Sequence, residues 1–548
     1  MSGLKLSDDD LRTFAGRWVA VLNNRIISHG GTPAQALRLA KEARFKETPE
    51  LFFVPMTTPI QFSGIFNRVC DLLPEDEQVY LVGGAVRDVL LGNPCHDLDF
   101  VLHGRTRQIA KRIADELGGA LFPLDEARGM MRVLLRSERG ERIVLDFAPI
   151  QGKSIDADLS TRDFTINAMA VDVRAPHRLL DPLGGARDLL GKQLRQCSPV
   201  SLRNDAVRIL RGIRFAALLG LHIPQEERVA MRRAVPALKT VSPERIRDEF
   251  LTILRGRRVS SALRALSVLG VFSGVFPELE ALKTVPIRSD ATKANHGAWE
   301  EGLSIVSNLE KVMNALGGEN GKNVPENLLF GEMKIHLGRY RRPIMQHLGS
   351  EIIAGRSVRP LIFLAALLRQ VTSYAAFADN AGGQCQGVAG SECIEKIGKS
   401  MILSNEEINR VKSIVGGCEM AARFRAGQPD RREIYRFFRS TGEAGVDACL
   451  LSLAVTMTEF TPAPPQDLWR NQLKSTSLLF DAWWNKHEKL ISPPKIISGG
   501  DLIAEFGLEP GPRIGVLLVL VREAQASGEV AAREDALEMI RRILEGEE

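Results

Sequence analysis

LVGGAVRDVLLGNPCHDLDFVL, residues 81–102, is the stretch that decides the fold. Val79-Tyr80-Leu81-Val82 predicts a short strand, Gly83-Gly84 a tight turn, and Ala85 to Leu91 a helix stopped by Gly92, with Asn93-Pro94 turning the chain. A glycine turn that opens a helix aims backbone N–H groups and the positive end of the helix dipole at an anion. Arg87 falls in the first helical turn, where it can add a charge-assisted contact to a triphosphate. Asp97-Leu98-Asp99-Phe100 then predicts a strand, and alternate residues of a strand share a face. Asp97 and Asp99 therefore stand side by side. Neighbouring carboxylates repel unless a cation lies between them, and Mg²⁺, which prefers oxygen, fits that need. An isolated pair of aspartates is usually a surface feature; one short helix after a glycine turn, it reads as a two-metal site.

Such a site needs a third carboxylate from a neighbouring strand. Asp146 sits in the otherwise apolar run Arg142-Ile143-Val144-Leu145-Asp146-Phe147, where an aspartate is costly unless it binds a cation or meets solvent. It is the candidate third ligand beside Asp97 and Asp99.

Around this stretch the chain divides by pattern. Residues 1–60 predict a small α+β module: a strand at Trp18–Leu22, a turn at Asn23-Asn24, a strand at Arg25–Ile27, and a helix opened by Thr32-Pro33 and running through Ala43. Residues 61–195 alternate strands and helices. Beyond about residue 200 the pattern is nearly all helical, with a separate compact tail after Pro493-Pro494. The fold class is thus α+β, a mixed head followed by an all-helical remainder.

Composition narrows the function classes. Of the 548 residues 44% are hydrophobic and 25% charged, which excludes wholesale disorder. Net charge is +5, and basic runs cluster at Arg255-Gly256-Arg257-Arg258, Arg339-Tyr340-Arg341-Arg342 and Arg431-Arg432 with Arg436 and Arg439, as a phosphate-tracking surface would have them. The seven cysteines contain no CxxC and are odd in number, which argues against a disulfide framework or a zinc site and for a reducing compartment. The start, MSGLKLSDDD, has no signal-peptide pattern, and apolar runs such as Ile514–Val521 are too short to span a bilayer. A cytoplasmic protein with no membrane contact is expected. Gly185 to Gly191-Lys192 superficially suggests a P-loop, but five residues separate the glycines and Gln193 replaces Ser/Thr, so it is rejected.

The run Leu81–Phe100 resembles the signature of class II tRNA nucleotidyltransferases and bacterial poly(A) polymerases. Further motifs follow in the order that family keeps: Thr161-Arg162-Asp163-Phe164-Thr165-Ile166-Asn167-Ala168-Met169-Ala170, with Thr161 in place of an arginine; Asp181-Pro182-Leu183-Gly184-Gly185 with Asp188-Leu189; Asn204-Asp205-Ala206-Val207-Arg208-Ile209-Leu210-Arg211, where Asn204 departs from the usual Glu; and Glu244-Arg245-Ile246 with Glu249. The resemblance covers about residues 78–280. It implies a polymerase-β-like nucleotidyltransferase head (61–195), a helical neck that binds base and RNA (196–285), a helical body (286–490) and an RNA-binding tail (491–548).

By resemblance, Gly83, Gly84, Arg87 and Arg162 bind the triphosphate, Asp163 and Asn167 support ribose and template geometry, and Asp205 and Arg208, with Arg211 a turn on, read the base. Cytosine and adenine both present an amino donor beside a ring-nitrogen acceptor, which an Asp–Arg pair on one helix face matches; uracil and guanine invert that pattern. The implied partners are ATP, CTP and tRNA or another RNA 3′ end, the implied cofactor is Mg²⁺, and the implied reaction is C or A addition with pyrophosphate release. A poly(A) polymerase is the alternative, and a non-catalytic RNA-binding protein on the same fold the more distant one. Many relatives carry a His-Asp phosphohydrolase in the body; here Leu364–Leu368 lead into Arg369-Gln370 instead, and His296 has no evident metal partners, so the body reads as a degenerate relative. The sequence leaves the oligomeric state open.

Overall fold

In a computed structural model of the chain, the residues described are 10, 13–14, 17–22, 25–30, 33–42, 49–54, 64–93, 95, 97–137, 140, 142–176, 178–284, 297–317, 328–375 and 390–546. They group into two units, Met1–Val241 and Ser242–Glu548.

The first unit opens with a three-stranded antiparallel sheet of β1 (Trp18–Leu22), β2 (Arg25–Gly30) and β3 (Glu50–Phe53), ordered β2-β1-β3, with α1 (Pro33–Glu42) packed on it. Val19, Val21 and Val54 form its small core. β1 and α1 follow the hydrophobic pattern. β3 was not anticipated; its signal is the short apolar run Leu51-Phe52-Phe53-Val54. The turn expected at Asn23-Asn24 and the Thr32 cap lie outside the described residues.

After α2 (Gly64–Leu72) comes the main sheet, seven strands in the order β10-β9-β4-β5-β8-β7-β6. These are β4 (Val79–Val82), β5 (Asp97–Leu102), β6 (Ala120–Asp125), β7 (Met130–Arg136), β8 (Arg142–Pro149), β9 (Ala170–Asp172) and β10 (Leu179–Leu180). α3 (Gly84–Leu90) joins β4 to β5, and α4 (Thr106–Leu117) joins β5 to β6 and packs on β7 and β8. Only β5 and β8 pair in parallel, which the crossover through α4 and the β6–β7 hairpin makes possible.

Side chains alternate across this sheet. On one face Leu98, Phe100, Met131, Val133, Leu135, Ile143, Leu145 and Phe147 are all buried, with Phe66 of α2 stacked on Phe100 and Phe100 on Phe147. The other face is covered over β4 and β9: Tyr80, Val82, Val101 and Ala170 pack with Leu159 and Ala168. Over β5, β8, β7 and β6 it is less buried, and there lie Asp97, Asp99, Asp146, Arg132 and Phe122.

The further helices of the unit are α5 (Ile155–Thr161), α6 (Gly185–Leu190), α7 (Ser201–Asn204), α8 (Arg208–Leu219) and α9 (Gln225–Ala234). Two glycines permit close approaches. A Cβ on Gly185 would lie 2.0 Å from the Thr165 carbonyl oxygen, and one on Gly212 would lie 2.7 Å from the Phe164 ring. The supposed P-loop is therefore a packing device, and Asp181 caps its helix by accepting from the N–H groups of Gly185 and Ala186 at 2.6 and 2.9 Å.

Among its described residues the second unit is helical apart from a two-stranded hairpin at Glu351–Ile353 and Arg356–Ser357. Its longest helices, Ala298–Gly317, Arg359–Ala375, Asn405–Arg423, Ala444–Glu459 and Gln466–Asn485, pack on one another through buried Leu, Ile, Val and Phe side chains. Gln370 is buried in the helix Arg359–Ala375, and His296 lies outside the described residues. Deep in this unit Asp447 accepts from Arg410 Nε at 2.7 Å and lies 2.6 Å from His347 Nε2, and Arg410 also donates to Glu443 at 3.0 Å. The tail has its own core, including Ile497, Leu502, Leu517, Val521 and Ile540. Its helices are capped locally: Ser498 and Asp501 make a reciprocal capping box, and Gly511-Pro512 begins the helix Pro512–Ser527.

Among the described cysteines, Cys70, Cys95, Cys197, Cys418 and Cys449 are free. No helix among the described residues is long and apolar enough to cross a membrane. The third basic cluster serves packing: Arg432 and Arg436 both pair with Glu523, which ties the helix Arg431–Thr441 to the tail.

Candidate active site

The site is built where β4, β5 and β8 run side by side. Val82 pairs with Asp99 across β4–β5, and Asp99 pairs with Asp146 across β5–β8. Asp97 is exposed at the start of β5; Asp99, two residues on and on the same side, is half-buried. Burial, then the negative charge of Asp146 and Asp97, push the Asp99 carboxyl up to about 6, against the pull of Arg162. Burial is the largest of these causes, and the neighbouring carboxylates add to it.

Gly83 ends β4 at φ +74°, a conformation open to glycine. A Cβ there would come 3.2 Å from Arg162 Nη1 and 3.3 Å from Asp99 Oδ2, so the bare backbone lets an arginine and a carboxylate close in on the turn from both sides. Gly83's own N–H donates to the Met169 carbonyl at 3.2 Å, which joins the turn to the segment before β9.

Four of the other expected nucleotide-binding residues, Arg87, Asn167, Asp163 and Arg211, fall into one hydrogen-bonded chain. Arg87, buried in α3, donates from Nη1 to Asn167 Oδ1 at 2.7 Å and from Nε to Asp88 at 2.9 Å. Asn167 donates to Asp163 at 3.2 Å, and Asp163 also accepts from the Phe164 N–H at 2.8 Å and from Arg211 at 2.9 and 2.7 Å. Burial would raise the Asp163 carboxyl, but Arg211 and these hydrogen bonds hold it below its ordinary value. The Phe215 ring lies under the guanidinium groups of Arg87, Arg211 and Arg214 at 5.4, 5.7 and 4.4 Å. Arg162 is anchored by Asp158 at 3.1 and 3.0 Å, leaving Nη1 toward Gly83.

The expected base-reading pair is arranged differently from the simple helical picture. Asp205 is extended (φ −153°) between α7 and α8, and α8 begins only at Arg208, so the two residues do not share a helix. They are linked by a turn in which the Arg208 N–H donates to the Asp205 carbonyl at 3.2 Å. The Arg208 guanidinium is oriented by Ser201 Oγ at 2.6 Å and by the carbonyls of Arg162 and Thr161 at 3.1 and 3.0 Å. Sequence spacing supplied the separation but could not show that the chain straightens at Asp205.

Asp146 has a protein partner that the sequence did not show. Both of its oxygens are engaged by Arg132 of β7, which donates from Nε and Nη2 at 2.7 Å each. Among the described residues no three His, Cys, Asp or Glu side chains are grouped to hold a metal ion. The free carboxylates are thus those of Asp97 and Asp99, while the third is balanced by a cation already in the protein. Arg132, Asp158, Asp88 and Phe215 were missed by sequence reasoning. Arg132 had a signal: it stands at the partly buried parity of an apolar strand, as Asp146 does.

The chain is similar to known proteins over most of its length. Residues 79–195 match the family model described as poly A polymerase head domain, and 220–283 that described as probable RNA and SrmB-binding site of polymerase A. Residues 10–57 match a family of unknown function. The chain is 30% identical over 457 residues to a CC-adding tRNA nucleotidyltransferase of Geobacter sulfurreducens, covering 83% of this chain and 90% of that one. It is likewise 30% identical over 499 residues to an A-adding tRNA nucleotidyltransferase of Deinococcus radiodurans, covering 88% and 99%. In fold it is similar to a solved CCA-adding enzyme in complex with ATP, at a TM-score of 0.55 and 21% identity over 88% of this chain and 95% of that one.

Proposed function

The chain belongs to the tRNA nucleotidyltransferase family, and from that membership we propose that it extends tRNA 3′ ends without a nucleic-acid template, transferring C, A or both from CTP and ATP and releasing pyrophosphate. The observation that carries the reading is Asp99, with Asp97 two residues before it on β5, lying against the Gly83 turn with Arg162 also close to that turn. A poly(A) polymerase is not favoured, because the relatives matched over nearly their whole length are CC- and A-adding enzymes. A non-catalytic role would not call for two uncompensated aspartates on an open sheet face.

In this reading Gly84, Arg87 and Arg162 hold the triphosphate on the β4 side of Asp99. Asp163, Asn167 and Arg211 fix Arg87 and the start of α8, and Asp205 and Arg208 face the base. Asp97 and Asp99 would hold Mg²⁺; hard carboxylate oxygens suit that ion, and the excess negative charge around Asp99 gives it a reason to bind. Bound there, the ions would activate the RNA 3′-hydroxyl and neutralise charge on the departing pyrophosphate.

Labelled CTP and ATP, alone and together with Mg²⁺, offered to tRNA ending at the discriminator base, at C and at CC, test the proposal. Finite addition names the activity by where it stops. Long ATP-only tails on an unstructured oligoadenylate would reverse it.

A further inference from the structure

Across the open face of the main sheet, four residues stand in register on four adjacent strands: Asp99 on β5, Asp146 on β8, Arg132 on β7 and Phe122 on β6. The first is at the proposed metal site. The last is unusual, because Phe122 is 47% exposed on the edge strand of the sheet, and Leu124 further along that strand is 42% exposed. Between them Arg132 is held flat by the two-pronged bond to Asp146, which uses Nε and Nη2 and leaves Nη1 directed away from that carboxylate.

We propose that Arg132 and Phe122 form the subsite for the 3′-terminal nucleotides of the RNA acceptor: Arg132 takes a backbone phosphate, Phe122 stacks on a base, and Asp146 is a positioning residue that holds Arg132. This rests on the nucleotidyltransferase reading of the chain. Asp99 divides the open face into two sides. The groups proposed for the triphosphate, Gly84, Arg87 and Arg162, gather on the β4 side. In an in-line displacement the attacking oxygen lies opposite the leaving pyrophosphate. The RNA end must therefore approach over β8, β7 and β6. Adjacent strands are about 4.8 Å apart, so Phe122 stands roughly 15 Å from Asp99, within reach of the last nucleotides of an extended strand. A cation beside an exposed aromatic ring is what single-stranded RNA binds without regard to sequence. The same arrangement explains why Asp146 is spent on Arg132 when a third metal ligand was expected.

The test uses the full chain and the variants Arg132→Ala, Arg132→Lys, Asp146→Asn, Phe122→Ser and Asp97→Ala. Binding of tRNA ending at C is measured in EDTA, where no turnover occurs, and KM for tRNA and for CTP with Mg²⁺. The expected result is about 5- to 100-fold weaker tRNA binding for Arg132→Ala and Phe122→Ser, the range that one stacked base or one phosphate contact carries. KM for CTP stays unchanged, Asp146→Asn repeats the effect, Arg132→Lys recovers part of it, and Asp97→Ala binds tRNA normally. Unchanged tRNA binding in Phe122→Ser and Arg132→Ala overturns the proposal. So does an Asp146→Asn variant that keeps tRNA affinity and loses turnover as Asp97→Ala does, since Asp146 would then act on the metal. The EDTA arm reads RNA affinity even if no nucleotide is incorporated, so failure of the activity reading is separable from failure of this one.

Discussion

Asp163 and Arg211 bind each other where the sheet passes into α8: both Nε and Nη2 of Arg211 reach the same carboxylate oxygen, at 2.9 and 2.7 Å, while the other oxygen takes the Phe164 N–H. The pair joins the chain Arg87–Asn167–Asp163 to the helix that carries Arg208, so it sets the distance between the proposed triphosphate and base contacts.

Arg211→Ala leaves a buried carboxylate without its cation. It should cost about 1–3 kcal/mol of stability in urea unfolding, since two other hydrogen bonds to Asp163 remain. It should also lower kcat/KM for CTP and ATP alike, because the support is common to both. A loss confined to one nucleotide would mean that Arg211 contacts the base and is more than a support.

Gly83→Ala puts a methyl group at φ +74° against Arg162 and Asp99. The strained backbone should cost about 1–3 kcal/mol. The displaced pair should cost more in activity than in folding. Nucleotide incorporation compared with the thermal midpoint checks this: wild-type turnover in the variant would mean that the turn is not part of the site.

Asp97→Asn and Asp99→Asn should each abolish incorporation at saturating Mg²⁺. Without metal, Asp99→Asn should be at least as stable as the native chain, because it removes one of two neighbouring charges. Mg²⁺ should raise the melting temperature of the native protein and not of either variant. Equal Mg²⁺ stabilisation in all three would place the ion elsewhere.

His347 sets a pH dependence in the second unit. Burial opposes its protonation, but Asp447 and Glu443 outweigh that and, against the nearby Arg410, raise it to about 9. Unfolded histidine titrates near 6.5. The stabilisation is therefore fully present below about pH 6.5 and lost as pH rises through about 9. His347→Gln should lower stability at pH 6 by roughly 1–3 kcal/mol and flatten the decline between pH 6.5 and 9. A parallel decline in both proteins would remove His347 from that role.

Much of the head was legible because its signals are local. The strand at Val79–Val82, the glycine-led helix and the paired aspartates of β5 follow from alternation and turn chemistry within 24 residues, and they fold as read. β3 escaped because four apolar residues do not distinguish a strand from any other buried segment. The break at Asp205 escaped because i,i+3 spacing is the same in a helix and in a tight turn.

Periodicity and turn residues thus specify, from the chain alone, which elements form and which side chains share a face; they place Asp97 beside Asp99. Partners far apart in the chain are set only by strand order and register. Arg132 meets Asp146 because β7 lies beside β8 in one particular alignment, and a shift of one residue would turn either side chain to the opposite face. Whether Asp146 is free to bind a metal or is already neutralised is a matter of a few ångströms between strands, and distance across a sheet is not encoded in any local pattern.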